Sequence, residues 1–277
     1  MTFNLFIHWN ISPEIIQIGG FPLRYYSILF ALAFYCSYKI LFHIYKKESK
    51  PIFFLNKLTL YIFLGTLIGA RLGQAFFYEF GYYKYHLTEI FLPFKIQNGN
   101  FKWTGYEGLA SHGGAIGILI ALYLYCKKYN QPFLWIVDRL AIVIALSAFF
   151  IRIGNLFNSE IIGRPSTLPW AFIFEKIDFI PRHPTQIYEA ICYLIIFTIL
   201  YIRYKVRLIP RPGYLFGIFL VLVFSVRFIL EFLKENQSSF ENTMSLNMGQ
   251  ILSLPFIIVG IILLINSFNR KPIKKKL

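Results

Sequence analysis

The residues richest in chemistry lie close together in the chain: Arg152, Asn155, Asn158, Glu160 and Arg164, with Gly154 and Gly163 among them. They follow directly on the apolar run 140–151, so a guanidinium arrives where a hydrophobic helix should leave a bilayer. A charge at that depth costs roughly 2.5–3.5 kcal/mol on insertion scales, so it pairs with something or binds something. Guanidinium presents a planar fork of donors matched to phosphate oxygens, and glycines let backbone come close to a ligand or to another helix. A lone arginine here would read as one that snorkels to lipid headgroups. This many varied polar residues read instead as a phosphate site at the membrane face.

The elements that must position such a site follow from composition. The chain has 277 residues, 57% hydrophobic and 15% charged, where soluble chains carry about 25% charged residues. Its apolar residues gather into stretches near the roughly 20 residues that cross a bilayer. The expected fold is an all-α, polytopic integral membrane protein of about seven transmembrane helices, with extracytoplasmic loops forming a small head. The spans fall at about 25–45, 53–77, 109–126, 133–151, 184–202, 214–233 and 249–266, in a single domain. An interfacial arm covers 1–23 and a basic cytoplasmic tail covers 267–277. Residues 1–24 lack a basic n-region and are broken by Pro13, Gly19, Gly20 and Pro22, unlike a cleavable signal. Cys36, Cys126 and Cys192 sit in or at the ends of apolar runs with no metal-ligand spacing. They read as inert buried thiols, and neither a metal nor a cofactor is expected.

A formal net charge of +15 would suit a nucleic-acid binder, but the placement of the charge argues otherwise. Lys46, Lys47 and Lys50, then Lys127 and Lys128, then Arg203, Lys205, Arg207 and Arg211, then the tail, all fall on one side of alternating spans. By the positive-inside rule that side is cytoplasmic, which puts the N-terminus outside and the C-terminus inside a bacterial cytoplasmic membrane. The tail reads as a topology signal with affinity for anionic membrane lipids, not as a nucleic-acid arm.

The same topology carries Arg71, His112, Arg152, His183 and Gln186 toward the outer half of the membrane. Arg227 and Glu231 stand at i and i+4 of one helix, about 6 Å apart, so Glu231 reads as an intramembrane partner for Arg227. Arg227 lies about 9 Å below the outer surface, too deep for a casual interfacial arginine. Arg71 reads equally well as structural, pairing with a carboxylate such as Glu79. Asp138 and Arg139 lie roughly 21 Å along the helix from Arg152, at the cytoplasmic end, where a cap or a topology role fits. His112 is the best-placed acid–base candidate, since neutral imidazole accepts a proton near pH 7. Gly113, Gly114 and Gly117 give it an open helical environment, although such glycines also make packing faces between membrane helices.

These segments together resemble the bacterial phosphatidylglycerol–prolipoprotein diacylglyceryl transferase family over nearly the whole chain. The carrying motifs are Arg24-Tyr25-Tyr26, Gly69-Ala70-Arg71-Leu72-Gly73, Ser111-His112-Gly113-Gly114-Ala115-Ile116-Gly117 and the stretch 152–164. His183-Pro184-Thr185-Gln186-Ile187-Tyr188-Glu189, the segment from Arg227 to Glu231, and Met248-Gly249-Gln250-Ile251-Leu252-Ser253 complete the set in the family's order. Val223 stands where the family often has tyrosine, Tyr25 where tryptophan is common, and Ser27 where glycine is usual.

The resemblance implies transfer of a diacylglyceryl group from phosphatidylglycerol to the lipobox cysteine of a prolipoprotein, the first step of lipoprotein maturation. It associates the residues matching Tyr26, His112, Arg152, Asn155, Gly163 and Arg227 with activity, and the one matching Glu160 with its support. His183, Gln186, Glu189 and Glu231 are expected to support the site, and Arg71 to help bind the lipid. The chemistry suits these residue types. A free thiol has a pKa of about 8.5, so one base suffices to ionise it near neutral pH; His112 would be that base, or would act through the phosphate or a water. The departing phosphate needs preorganised donors in a low dielectric, which Arg152, Arg227 and Asn155 supply. The competing class is a transporter or flippase for an anionic lipid or small anion that uses the same arginines. Against it, the inner halves of most spans are plainly apolar, where a carrier needs a polar route to both faces.

Overall fold

The structure is a computed structural model describing residues 6–18, 21–90, 94–97, 100–103, 110–206, 211–236, 241 and 243–269. Helices dominate it: α1 Tyr25–Lys47, α2 Ile52–Phe77, the short α3 Phe80–Tyr83, α4 Ser111–Tyr129, α5 Phe133–Phe157, α6 Thr185–Val206, α7 Tyr214–Leu230 and α8 Met248–Asn269. Six of these (α1, α2, α5, α6, α8, and α7 with its 3-10 extension to Leu233) are long and apolar enough to cross a membrane. The chain is thus an all-α polytopic membrane protein. The remaining long helix, α4, is diluted in hydropathy by Ser111-His112-Gly113-Gly114 at one end and Lys127-Lys128 at the other. Of the basic tail, residues 270–277 lie outside the described residues.

Two boundaries differ from the sequence reading in ways that matter. The fourth apolar run does not end at 151: α5 continues to Phe157, so Arg152 and Asn155 share a helix turn instead of a loop. The sixth stops earlier, at Leu230, where Glu231–Leu233 tighten into a 3-10 turn. The arm before α1 is built of strands, β1 Ile7–Trp9, β2 Glu14–Ile18 and β3 Phe21–Arg24, with β2 and β3 an antiparallel pair. Pro13 and Pro22 interrupt any helical hydrogen-bonding in this arm.

The chain divides into two compact units, 42–133 and a second formed by 1–41 with 134–277. In the first, α2 and α4 pack through facing small residues. A Cβ added to Gly69 would lie 2.7 Å from the Gly117 Cα, and one on Gly73 would lie 2.6 Å from the Gly113 Cα. Only glycine permits helix backbones this close, and such approach is how membrane helices gain packing where no hydrophobic force drives them together. The glycines after His112 are therefore consumed in packing; they do not open a space around it. The hairpin of β4 Phe94–Gln97 and β5 Asn100–Trp103 belongs to the same unit.

In the other unit α5 is the buried member, with apolar side chains from Trp135 to Leu146 shielded on most sides. Near its N-terminal end Asp138, 0% exposed, accepts hydrogen bonds from the backbone N–H groups of Gly213 and Phe216, both at 2.8 Å. It thereby caps α7 from a different helix, using donors that a helix N-terminus leaves unpaired. Gly213 holds the left-handed φ of 86° that turns the chain into α7. Farther along, α7 and α8 meet at Gly217 and Gly260, and Phe224 stacks on Phe256 at 4.3 Å. A three-stranded sheet gathers the loops, with β1 parallel to β6 Phe172–Phe174 and β6 antiparallel to β7 Pro181–Arg182. Leu156, Phe172 and Phe174 form its core against Trp9, Ile162 and Ile187.

Candidate functional site

The site grows from the last turns of α5. Arg152 and Asn155, at i and i+3, present side chains to the same face, and Arg152 Nη1 donates to Asn155 Oδ1 at 3.2 Å. Asn155 Nδ2 in turn donates to Glu160 Oε2 at 3.0 Å, and Asn158 Nδ2 to the other oxygen at 3.2 Å. The turn after α5 needs an unusual backbone, since Ser159 and the β-branched Ile161 both have left-handed φ, 55° and 58°. That conformation is costly for a β-branched residue and persists only when its surroundings over-determine it. Here they do. Gln186 Nε2 donates to the Glu160 carbonyl at 2.7 Å, Thr185 Oγ1 to the Ile161 carbonyl at 2.9 Å, and Glu235 N to the Ile162 carbonyl at 3.2 Å.

Behind Arg152 lies a buried chain of alternating charge. Glu189, on α6 and 0% exposed, sets Oε2 2.9 Å from Arg152 Nε. Its Oε1 accepts from Lys234 Nζ at 3.0 Å and from the Tyr193 hydroxyl at 3.3 Å. Lys234 Nζ also donates to Glu231 Oε2 at 3.0 Å. Glu231 thus pairs with Lys234 and not with Arg227, contrary to the helix-face expectation. The helix ends at Leu230, and the 3-10 turn swings the carboxylate toward Lys234. Gly249 at the start of α8 makes room for it, since a Cβ there would lie 2.6 Å from the Glu231 carboxyl carbon.

Arg227 has no hydrogen-bonded or charge-paired side chain among the described residues. It acts electrostatically on the Tyr193 hydroxyl, as Arg152 does. Tyr26 on α1 lies within electrostatic reach of Arg152 and Glu160. Its ring covers Gly154, where a Cβ would lie 2.7 Å from Tyr26 Cδ2. The neighbouring Tyr25 stacks on Phe157 at 4.3 Å. Arg152, Asn155, Glu160, Glu189, Gln186, Glu231, Arg227 and Tyr26 therefore belong to one unit and most of them to one network.

Gly163 and His183 act through backbone. Gly163 N donates to the His183 carbonyl at 3.1 Å, and a Cβ on Gly163 would meet Thr185 Cγ2 at 2.9 Å. Residues 162–164 are stitched to 233–235, with Arg164 N on the Leu233 carbonyl at 2.8 Å and Arg164 Nε on the Lys234 carbonyl at 3.0 Å. Arg164 thus braces the loop. His183 lines a cleft of about 460 Å³ with Pro165, Thr167 and Ile180, and burial holds its pKa below the usual 6.5, favouring neutral imidazole. Beside it Arg182 is bound by Asp178 at 2.6 Å and Glu235 at 3.0 Å, which pulls the Asp178 carboxyl below its ordinary 3.8.

Arg71 and His112 belong to the other unit. Arg71 is buried and donates to the carbonyls of Ile90 (2.7 Å) and Glu89 (3.2 Å) and to the Tyr83 hydroxyl (3.0 Å). These bonds hold the segment that follows α2, as a structural arginine would. In that segment Tyr82 donates to Glu89 Oε2 at 2.6 Å, and the carboxylate pushes the tyrosine pKa up to about 12. His112 is exposed in the first turn of α4, with no hydrogen-bond partner among the described residues. A groove of about 650 Å³ along α2 and α4 is lined by side chains such as Leu64, Ile68, Phe76, Ile116 and Ile120. It offers greasy surface and almost no polar chemistry.

Lys234 is the site residue that sequence reasoning missed. It follows Phe232-Leu233 at a span's end, where a lysine ordinarily snorkels to water, and nothing local marks it as buried. Tyr193 was equally silent among the aromatics of α6.

Comparison with known proteins shows the family of the chain. Residues 13–266 match the family model described as prolipoprotein diacylglyceryl transferase. A protein of Bacteroides fragilis named phosphatidylglycerol–prolipoprotein diacylglyceryl transferase is 45% identical over 280 residues, covering 98% of each chain. Proteins of the same name from Tolumonas auensis and Chloroherpeton thalassium are 43% and 42% identical, covering 96% and 99% of this chain and 99% of their own. Matched through most of its length, the chain belongs to the prolipoprotein diacylglyceryl transferase family.

Proposed function

We propose that this protein transfers the diacylglyceryl group of phosphatidylglycerol to the lipobox cysteine of prolipoproteins. The thiolate attacks the glyceryl carbon that bears the phosphate. A C–S bond forms, the C–O bond breaks, glycerol phosphate leaves with the electron pair, and the thiol proton ends on the phosphate. The observation that carries this reading is the contrast between the two arginines. Arg152 is held rigidly by Glu189 and Asn155, while Arg227 carries a charge that no carboxylate among the described residues pairs with. A phosphodiester anion is the ligand such a pair suits. In low dielectric, fixed donors of this kind stabilise the charge that gathers on the departing phosphate.

In this reading Asn155 donates to the phosphate, Glu160 and Gln186 hold Asn155 and its loop, and Tyr26 closes the site over Gly154. Gly163 serves by close packing, and Arg71 by bracing the segment after α2. His112 takes the thiol proton and returns it to the departing phosphate. The long helix α4 is a seventh span, the whole chain works as one domain, and the protein sits in the bacterial cytoplasmic membrane. The N-terminus is outside, the C-terminus is cytoplasmic, and the site opens toward the outer leaflet; the basic residues after α1, α4 and α6 support that orientation.

The test is direct. Purified protein in phosphatidylglycerol liposomes, given a lipobox peptide, should yield one thioether-linked peptide for each glycerol phosphate released. Movement of phosphatidylglycerol between leaflets with no glycerol phosphate would instead establish a flippase.

A further inference from the structure

Arg152, Glu189, Lys234 and Glu231 form a buried, formally neutral set, two cations and two carboxylates in alternation. Glu189 is 0%, Lys234 3% and Glu231 7% exposed, so water screens these charges poorly. Arg227 adds a further positive charge, acting with Arg152 on Tyr193, while the Arg164 guanidinium is turned to the Lys234 carbonyl at 3.0 Å. Both carboxylates act on Arg152, Glu189 through the ion pair and Glu231 at longer range. Without a cation between them they would together outweigh Arg152, and an anionic ligand would meet no surplus positive charge. Lys234 is the group that prevents this, for its ammonium binds one oxygen of each carboxylate at 3.0 Å.

We propose that Lys234 is a positioning residue for the phosphodiester. By neutralising Glu189 and Glu231 it leaves Arg152 and Arg227 with net positive charge for the lipid, without touching the lipid itself. The backbone is arranged to keep it there. Gly163 forms an isolated β-bridge with Lys234, Arg164 Nε holds the Lys234 carbonyl, and Lys234 N bonds the Glu231 carbonyl at 3.2 Å. Gly163 can run this close because it has no side chain to strike Thr185. Lysine suits the role because its three donors radiate from one point and can serve two carboxylates at once.

The inference rests on the transferase reading, and the experiment separates the two. Wild type, Lys234→Arg, Lys234→Met and the charge-balanced pair Lys234→Met with Glu231→Gln are purified in detergent and checked for equal thermal unfolding. KM for phosphatidylglycerol and for a lipobox peptide is then measured separately. Lys234→Met should raise KM for phosphatidylglycerol about tenfold or more while leaving KM for the peptide unchanged. Lys234→Arg should stay near wild type, and the double variant should recover most of the lost lipid affinity because it removes one charge of each sign. If Lys234→Met does not accumulate, the double variant is compared with the wild type, and a lipid KM raised about tenfold or more in it overturns the role. Lipid KM unaffected in Lys234→Met, or a double variant as weak as or weaker than the single, would overturn the charge-balancing role. Absence of transfer by the wild type would overturn the transferase reading instead.

Discussion

At the scale of single residues, the arginine fork does what a point charge cannot. Arg152 reaches Glu189 through Nε and Asn155 through Nη1, two directions fixed by one planar group. Arg152→Lys keeps the charge but can satisfy only part of this arrangement. It is expected to lose roughly 10²-fold in kcat/KM, about the effect of deleting one preorganised donor. Near-normal transfer by the lysine variant at equal membrane abundance would dismiss phosphate clamping by Arg152. His112 is a different case, because it is exposed and makes no hydrogen bond among the described residues. If it removes the thiol proton, His112→Gln should lower turnover by about 10²–10⁴-fold near neutral pH. The variant should then recover in part as pH rises toward the free thiol pKa of about 8.5, where the substrate ionises unaided. Initial rates of glycerol phosphate release against pH for both proteins decide it. Profiles that stay parallel up to about pH 9 would leave His112 as a positioning group only.

At the scale of elements, helix ends and helix contacts carry the burden. Asp138 caps α7 from α5 with two backbone hydrogen bonds of 2.8 Å, both to donors that the helix itself cannot satisfy. Asp138→Ala leaves those donors unpaired at a buried helix start, at a cost of about 1–3 kcal/mol for each group so stranded. Thermal unfolding in detergent should therefore drop by several degrees, while KM for phosphatidylglycerol in the surviving folded protein should not change. A shift in lipid KM with no loss of stability would mean that Asp138 serves the site and not the frame. A cap or topology role was readable at Asp138 from its position far below Arg152. Its partner was not, because a cap supplied by another helix leaves no signature at local spacing.

At the scale of the whole molecule, the charge distribution argues for one orientation. Basic residues close α1, α4 and α6, and the polar network gathers at the opposite ends, where α5 stops and α6 begins. In a variant without native cysteines, Lys176→Cys should react with an impermeant maleimide on intact cells. Lys128→Cys should react only after the membrane is opened. The reverse pattern would move the whole network to the cytoplasmic face and end the reading of a secreted substrate.

The sequence by itself determined the class of the protein, because a bilayer demands long apolar helices and sorts lysine and arginine between its faces. It also marked Arg152, Asn155, Glu160 and Arg227, since polar groups stand out within apolar runs. Pairing was left to the tertiary structure. Helical spacing placed Glu231 beside Arg227, but a 3-10 turn after Leu230 carries it to Lys234. The glycines after His112 suggested open space, and the close approach of α2 takes that space up. Local periodicity reports which residues share a face. Which charge meets which depends on how separate helices end and pack, and in a low dielectric that pairing decides whether an arginine is already neutralised or still available to a phosphate.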